Sequence, residues 1–157
     1  MSCDNQYQQP VTILMAEDDE DDRELARDAL AISHVANDLR FVFDGQDLLD
    51  YLRREGRHAG DATATPRPGV VLLDLHMPRK NGHEALAEIK SDPSLRQIPV
   101  VVLTTSHEED DVTSAYDLGA SSFITKPSTM SGLIQAMQTL SRYWLELVDL
   151  PSGAVPG

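Results

Sequence analysis

Four consecutive aliphatic residues, Val70-Val71-Leu72-Leu73, are followed by Asp74 and, four positions on, by Pro78. An unbroken apolar run of this length suits a strand buried on both faces, as in a parallel sheet. Met77-Pro78 then ends the regular structure, because the residue before a proline is pushed out of the helical region. Asp74 is thereby expected at the carboxyl end of a central strand, where open α/β sheets place their ligands. A lone acid there can also be a helix cap, so its meaning depends on what else reaches the same edge.

Other segments repeat the pattern. Val11–Ala16 is a short apolar run followed at once by Glu17, Asp18 and the acids 19–22. Leu25, Ala26, Ala29, Leu30 and Ile32 fall on helical spacing, and Asp19 to Asp22 suit the cap and first turn of that helix. Leu39–Phe43 alternates like a strand and closes on Asp44-Gly45, a turn pair. Leu48, Leu49, Tyr51 and Leu52 mark a second helix, and Glu55–Pro68 is the longest loop, expected to carry variation rather than chemistry. A third helix is expected over about His83–Lys90, and a fourth strand over Ile98–Leu103, leading into Thr104-Thr105-Ser106. An acid-rich helix over about Glu108–Leu118 stops at Gly119. A fifth strand, Ser122–Thr125, ends in Lys126-Pro127, and a last helix from about Ser128 carries Leu133, Ile134, Ala136, Met137 and Leu140. Strand and helix alternate five times, which predicts an α/β fold: a doubly wound, five-stranded parallel sheet with helices on both faces. Residues 1–10 are expected to form a flexible lead-in, 11–150 a single domain with an extended C-terminal helix, and 151–157 a tail.

The chain has 157 residues and a formal net charge of -13, with 26 Asp and Glu against 13 Lys and Arg. Such a balance argues against binding DNA or an anionic membrane, both of which need a basic face. It suits small cations or a partner with a basic patch. The single cysteine, Cys3, rules out an internal disulfide framework. The first ten residues lack the features of a signal peptide, and no window approaches the about 18 apolar residues of a membrane span. The cytoplasm is the expected location.

In a parallel sheet all strands end on one side, so Glu17, Asp18, Asp74, Thr104 and Lys126 are expected to converge. Three carboxylates together repel one another. A hard divalent cation such as Mg²⁺, which favours oxygen ligands from carboxylates, water and phosphate, relieves that repulsion. One carboxylate is then free to act as a nucleophile toward a phosphoryl group. A hydroxyl and an ammonium on the next two strands can hold the phosphoryl oxygens.

The ordered set of an acidic pair after the first strand, "LLDLHMP" with Gly82 following, "VVLTTS" and "FITKP" resembles the receiver domain of two-component response regulators, over about Val11 to Leu140. The resemblance implies the flavodoxin-like strand order 2-1-3-4-5, with Asp74 as phosphoacceptor. It also implies a Mg²⁺ site of Glu17, Asp18 and Asp74, in which Asp18 binds directly, Glu17 binds through water and His76 supplies its backbone carbonyl. Thr104 becomes the switch hydroxyl and Lys126 the phosphoryl-contacting amine, with a cis bond between Lys126 and Pro127. Phe123 falls at the aromatic switch position, and His76 and Ser106 where side chains tune dephosphorylation. His34, His58, His83 and His107 show no spacing of a phosphotransfer histidine, so the donor is expected on a separate sensor histidine kinase.

No output domain is recognisable after the fifth helix, so signalling is expected through protein contacts. The long Glu55–Pro68 loop, the residues around Tyr116–Leu118 and the stretch Tyr143–Pro151 resemble the small regulators that accompany bacterial phytochromes. That implies a bacteriophytochrome-type kinase as partner and a homodimer, in which Trp144 and Leu147 would be covered apolar surface. Two other classes compete: a receiver-like interaction module that accepts no phosphate, and a Mg²⁺-dependent phosphatase with an aspartyl nucleophile. The latter usually has a second acid two residues after the nucleophile, where this chain has His76.

Overall fold

A computed structural model describes residues 11–32, 37–60, 65–77, 79–104, 109–125 and 129–140. The strands are β1 (Val11–Ala16), β2 (Asn37–Val42), β3 (Val70–Leu73), β4 (Val100–Thr104) and β5 (Ser122–Thr125). The helices are α1 (Glu20–Ile32), α2 (Gly45–Arg53), α3 (Gly82–Ser91), α4 (Glu109–Asp117) and α5 (Met130–Leu140), with one 3₁₀ turn at Gly56–His58. All four strand pairings are parallel, and the order is β2-β1-β3-β4-β5. The expected five-stranded, doubly wound sheet is therefore what forms, in the flavodoxin-like order.

The alternation of side chains along each strand sorts the core into two layers. Leu14, Ala16, Val71, Leu73, Val100 and Val102 face Leu48, Leu49, Ala85, Leu86 and Ile89 on α2 and α3, with Ala115 on α4. Their neighbours Ile13, Met15, Val70, Leu72, Val101 and Leu103 face Ala26, Ala29 and Leu30 on α1 and Met137 on α5. Every residue of β3 is buried, as its continuous apolar run requires. The small residues Ala26 and Ala29 let α1 pack closely, at 0% exposure.

Boundaries differ from the periodicity at two places. β2 starts earlier, at Asn37, and ends at Val42, because the ladder to β1 runs only from Val11↔Asn37 to Ala16↔Val42. Phe43 is consequently outside the strand and 45% exposed. β4 begins at Val100 rather than Ile98, after Pro99, which has no N–H to give the ladder. Helix ends follow their local chemistry. Asn81 and Glu84 form a reciprocal capping box at the start of α3, and Gly119 takes the left-handed φ of 105° that ends α4.

Candidate functional site

Two backbone hydrogen bonds continue the ladder just past the strand ends. Glu17 N donates to the Val42 carbonyl at 3.0 Å, and Asp74 N donates to the Ala16 carbonyl at 3.3 Å. The first acid after β1 and the first acid after β3 are thereby set side by side at the carboxyl edge. Carboxylate oxygens of Glu17, Asp18 and Asp74 all lie within 4.8 Å of one another. Glu17 and Asp74 are buried and Asp18 is exposed, so the cluster opens to solvent on the Asp18 side.

Backbone donors aim the acids. Glu17 Oε2 accepts from Asp19 N at 3.2 Å, and Asp74 Oδ1 accepts from His76 N at 3.1 Å. Arg23 donates from Nη1 to the Glu17 carbonyl at 2.9 Å, tying the end of β1 to the second turn of α1. Asp19 Oδ1 caps α1 through Asp21 N and Asp22 N. Asp19 and the acids after it thus play the helix-start role, as distinct from Glu17 and Asp18.

The loop after Asp74 is held from below by two glycines. A Cβ on Gly82 would run into the Asp74 carbonyl oxygen and lie 2.6 Å from Leu75 Cα, so only glycine lets α3 start against this loop. Gly82 N donates to Leu75 O at 3.0 Å. From the neighbouring loop, Gly45 N donates to Lys80 O at 2.9 Å, and a Cβ on Gly45 would strike that same oxygen. Asp44 completes the lock. Its carboxylate accepts Asp47 N at 2.7 Å as the α2 cap and takes the Arg79 fork at 2.7 and 3.1 Å. Arg79 holds a left-handed φ of 62° there, and Lys80 pairs with Glu88 on α3.

The register places the remaining residues. Leu73 pairs with Val102, so Asp74 and Thr104 follow that pair by one and two positions on adjacent strands. Thr104 pairs with Thr125, after which Lys126 follows in sequence. Phe123 is half-buried on β5 and packs against the α2–α3 core layer. His76 is exposed. The Thr104 side chain, Ser106, the Lys126-Pro127 bond, Trp144 and Leu147 lie outside the described residues.

Sequence reasoning missed the Asp44–Arg79 and Gly45–Lys80 contacts, which join residues 35 apart in sequence. It also missed a buried acid nearby. Asp47, 4% exposed, accepts from Phe43 N at 3.0 Å and from Arg57 at 2.9 and 2.6 Å, and its Oδ1 lies 2.9 Å from His58 Nε2. Burial pushes its carboxyl up, but the Arg57, Phe43 and His58 contacts together outweigh burial and hold it below the usual range.

The donor set fits a hard divalent cation. It is made of oxygens alone, from three carboxylates, with an open side for water. Glu17, Asp18 and Asp74 are the described residues that would hold it.

Comparison with known proteins accords with this geometry. Residues 13–138 match the response regulator receiver domain. The chain is 41% identical over 143 residues to response regulator Rcp1 of Synechocystis sp., covering 91% of this chain and 95% of Rcp1. The structure of the phosphorylated cyanobacterial phytochrome response regulator RcpA superposes with a TM-score of 0.84 at 44% identity, over 91% of this chain and 99% of RcpA. The Mn²⁺-bound form of Rcp1 superposes with a TM-score of 0.82 at 40% identity, over 91% of this chain and all (100%) of that one. Among the described residues no helix is long and apolar enough to cross a membrane. With its sheet order, its acidic edge and these matches, the chain belongs to the response regulator receiver domain family, and within it resembles the phytochrome-associated regulators.

Proposed function

We propose that the protein takes a phosphoryl group on Asp74 from the phosphohistidine of a sensor kinase of the phytochrome type, and passes the signal on by protein contacts. The observation that carries this is the cluster of three carboxylates within 4.8 Å at the carboxyl edge, with Asp74 ending the central strand. Its likeness to RcpA and Rcp1 supports the choice of kinase class.

In the transfer, an Asp74 carboxylate oxygen forms the new P–O bond as the P–N bond to the donor imidazole breaks. The imidazole leaves with its proton. Asp18, Asp74 and the His76 carbonyl, with Glu17 through water, would hold Mg²⁺, which when bound would offset the charge of the carboxylates and the incoming phosphoryl group. The His76 N–H steadies one Asp74 oxygen and leaves the other to react. Thr104 and Lys126 receive the phosphoryl oxygens, and movement of Thr104 toward them draws Phe123 inward. Hydrolysis of the acyl phosphate is self-catalysed, and His76 and Ser106 set its rate. The domain, over residues 11–150, works in the cytoplasm and pairs as a homodimer, with Trp144 and Leu147 at the dimer surface.

Incubation with a small-molecule phosphodonor and Mg²⁺, followed by intact-mass analysis, tests the central step. One phosphoryl adduct is expected on the wild type and none on Asp74→Asn. No adduct on the wild type, as a phosphate-independent interaction module would show, or an unchanged adduct on the variant, refutes the reading. Multiple turnover of a phosphate ester would instead establish the phosphatase. Light scattering at micromolar concentration tests the pairing: a mass of one chain defeats it.

A further inference from the structure

The amino edge of the sheet, opposite the acids, contains a cavity of ≈ 250 Å³. It lies between the end of α2, the segment entering β3 and the segment entering β4. Two arginines line it, Arg54 and Arg67, against an apolar wall of Leu52, Pro68, Leu95 and Ile98. Each guanidinium has five N–H donors. Arg54 commits two, Nε to Thr65 Oγ1 at 3.0 Å and Nη2 to Thr65 O at 3.3 Å. Arg67 commits one, Nη1 to Ser94 O at 3.0 Å. Neither has a carboxylate within ion-pair distance among the described residues. Arg40, Arg53, Arg57, Arg79 and Lys80 each have one. Arg23, Arg27, Lys90 and Arg96 also have none among the described residues, so what sets Arg54 and Arg67 apart is that one concavity holds both.

We propose that this cavity binds a small organic carboxylate with a short apolar body. A planar carboxylate matches the guanidinium fork and draws on the uncommitted donors. Its apolar part lies against half-buried Leu52, at the mouth of a wall whose other members, Pro68, Leu95 and Ile98, are already buried. The volume falls below the usual range for drug-sized ligands and cofactors, about 300–1,000 Å³, so the ligand is small. A single negative charge also suits an acidic protein, whose field repels multiply charged anions more strongly.

Buried Tyr51 adds rigidity rather than a proton. Its hydroxyl donates to Pro66 O at 2.9 Å, and burial, moderated by nearby Arg40, pushes its pKa up to about 12. The Arg54 cap is also fixed: a left-handed residue (φ 55°) whose N–H bonds Asp50 and Tyr51 carbonyls at the end of α2. The site therefore needs no rearrangement before binding.

The test is an amide-shift titration of the full chain with benzoate, with acetate, benzyl alcohol and inorganic phosphate run separately. Saturable shifts centred on Leu52, Arg54, Arg67 and Ile98 are expected with benzoate, and weaker ones with each of the others. Arg67→Gln, with an unchanged melting temperature, is expected to lose about tenfold in benzoate affinity, the equivalent of one charge-assisted hydrogen bond. Arg67→Lys should recover part of it. Absence of saturable shifts overturns the proposal. So does benzyl alcohol or phosphate binding as tightly as benzoate, or an Arg67→Gln response equal to wild type. None of these outcomes depends on phosphorylation of Asp74.

Discussion

The two edges of the sheet segregate opposite charges. At the carboxyl edge three carboxylates come within 4.8 Å of one another; at the amino edge two guanidiniums share one cavity. Beside the acids, in the loops of the same carboxyl edge, acids and arginines are instead matched one to one, as in Asp44 with Arg79 and Asp47 with Arg57. Matched pairs lock loops together. Like charges gathered in one place cost stability unless something of the opposite charge arrives, so the two clusters read as places for ligands and the matched pairs as framework. The acids are placed by the β1 and β3 ladders, whereas the arginine side chains are held outside the sheet, Arg54 from the end of α2 by Thr65 and Arg67 from the segment entering β3 by Ser94. The carboxyl edge should therefore be the more sensitive to backbone changes.

Gly82→Val is expected to have the largest effect. Its side chain meets the Asp74 carbonyl and Leu75 Cα, both backbone, so relief requires α3 to move away from the loop. Overpacking of this kind costs about 3 kcal/mol. Chemical denaturation should show the loss, and divalent-cation binding should fall with it, while the benzoate response at the amino edge persists. Equal loss at both edges would break the contrast.

Asp47→Ala comes next, at about 2–3 kcal/mol, because it strands the Phe43 N–H and removes the partner of Arg57 and His58. Its pH signature is specific. The folded carboxyl lies below its usual value of 3.8, so the stabilisation is present above that value and is lost as pH falls through the lower folded value. Acid denaturation of the wild type should therefore include a component below about pH 3.8 that Asp47→Ala lacks. Identical acid limbs would show that Asp47 carries no such linkage.

Much of the carboxyl edge was legible because a parallel sheet turns sequence position into spatial convergence. Once Val11–Ala16 and Val70–Leu73 are read as strands, Glu17, Asp18 and Asp74 follow as their sequels. Phe43 was not legible. It continues the alternation of Phe41, but the ladder to β1 stops at Val42, and periodicity carries no information about where a partner strand ends. Phe43 instead lies exposed beneath the guanidiniums of Arg23 and Arg57, 4.7 and 5.0 Å from its ring centre. The Glu55–Pro68 loop was read as a place for variation rather than chemistry for a related reason. Its Gly56–His58 turn is drawn onto Asp47, ten and eleven residues back, and its later part holds Tyr51 and Arg54. Loop residues acquire structure from distant partners that local composition does not reveal.

Tyr51→Phe probes the amino edge by removing one buried hydroxyl. The loss of its bond to Pro66 O should cost about 1 kcal/mol at neutral pH. The tyrosine pKa is raised from 10.0 to about 12 on folding. Its contribution is therefore complete below pH 10 and is lost as pH rises toward 12. The variant's stability should be flatter across that window. A variant as pH-sensitive as the wild type would move the linkage to another group.

The smallest effect is also the one whose sign best separates the charge clusters from the framework. Asp18 is the exposed member of the acidic cluster, and the described structure shows no ion pair for it. Replacing a framework acid such as Asp47 removes attraction, whereas Asp18→Asn removes repulsion from Glu17 and Asp74. At separations within 4.8 Å and partial exposure, that repulsion amounts to about 0.5–1 kcal/mol. In chelator, Asp18→Asn should therefore unfold at slightly higher denaturant than the wild type. Added Mg²⁺ should reverse the order, because a cation bound only by the folded state stabilises in proportion to its affinity, and the variant offers one carboxylate fewer. High salt should shrink the chelator difference, since the exposed charge is screened over about 10 Å at 0.1 M. A variant less stable than the wild type in chelator would mean that Asp18 serves the framework, and the division between charge clusters and matched pairs would fail at that residue.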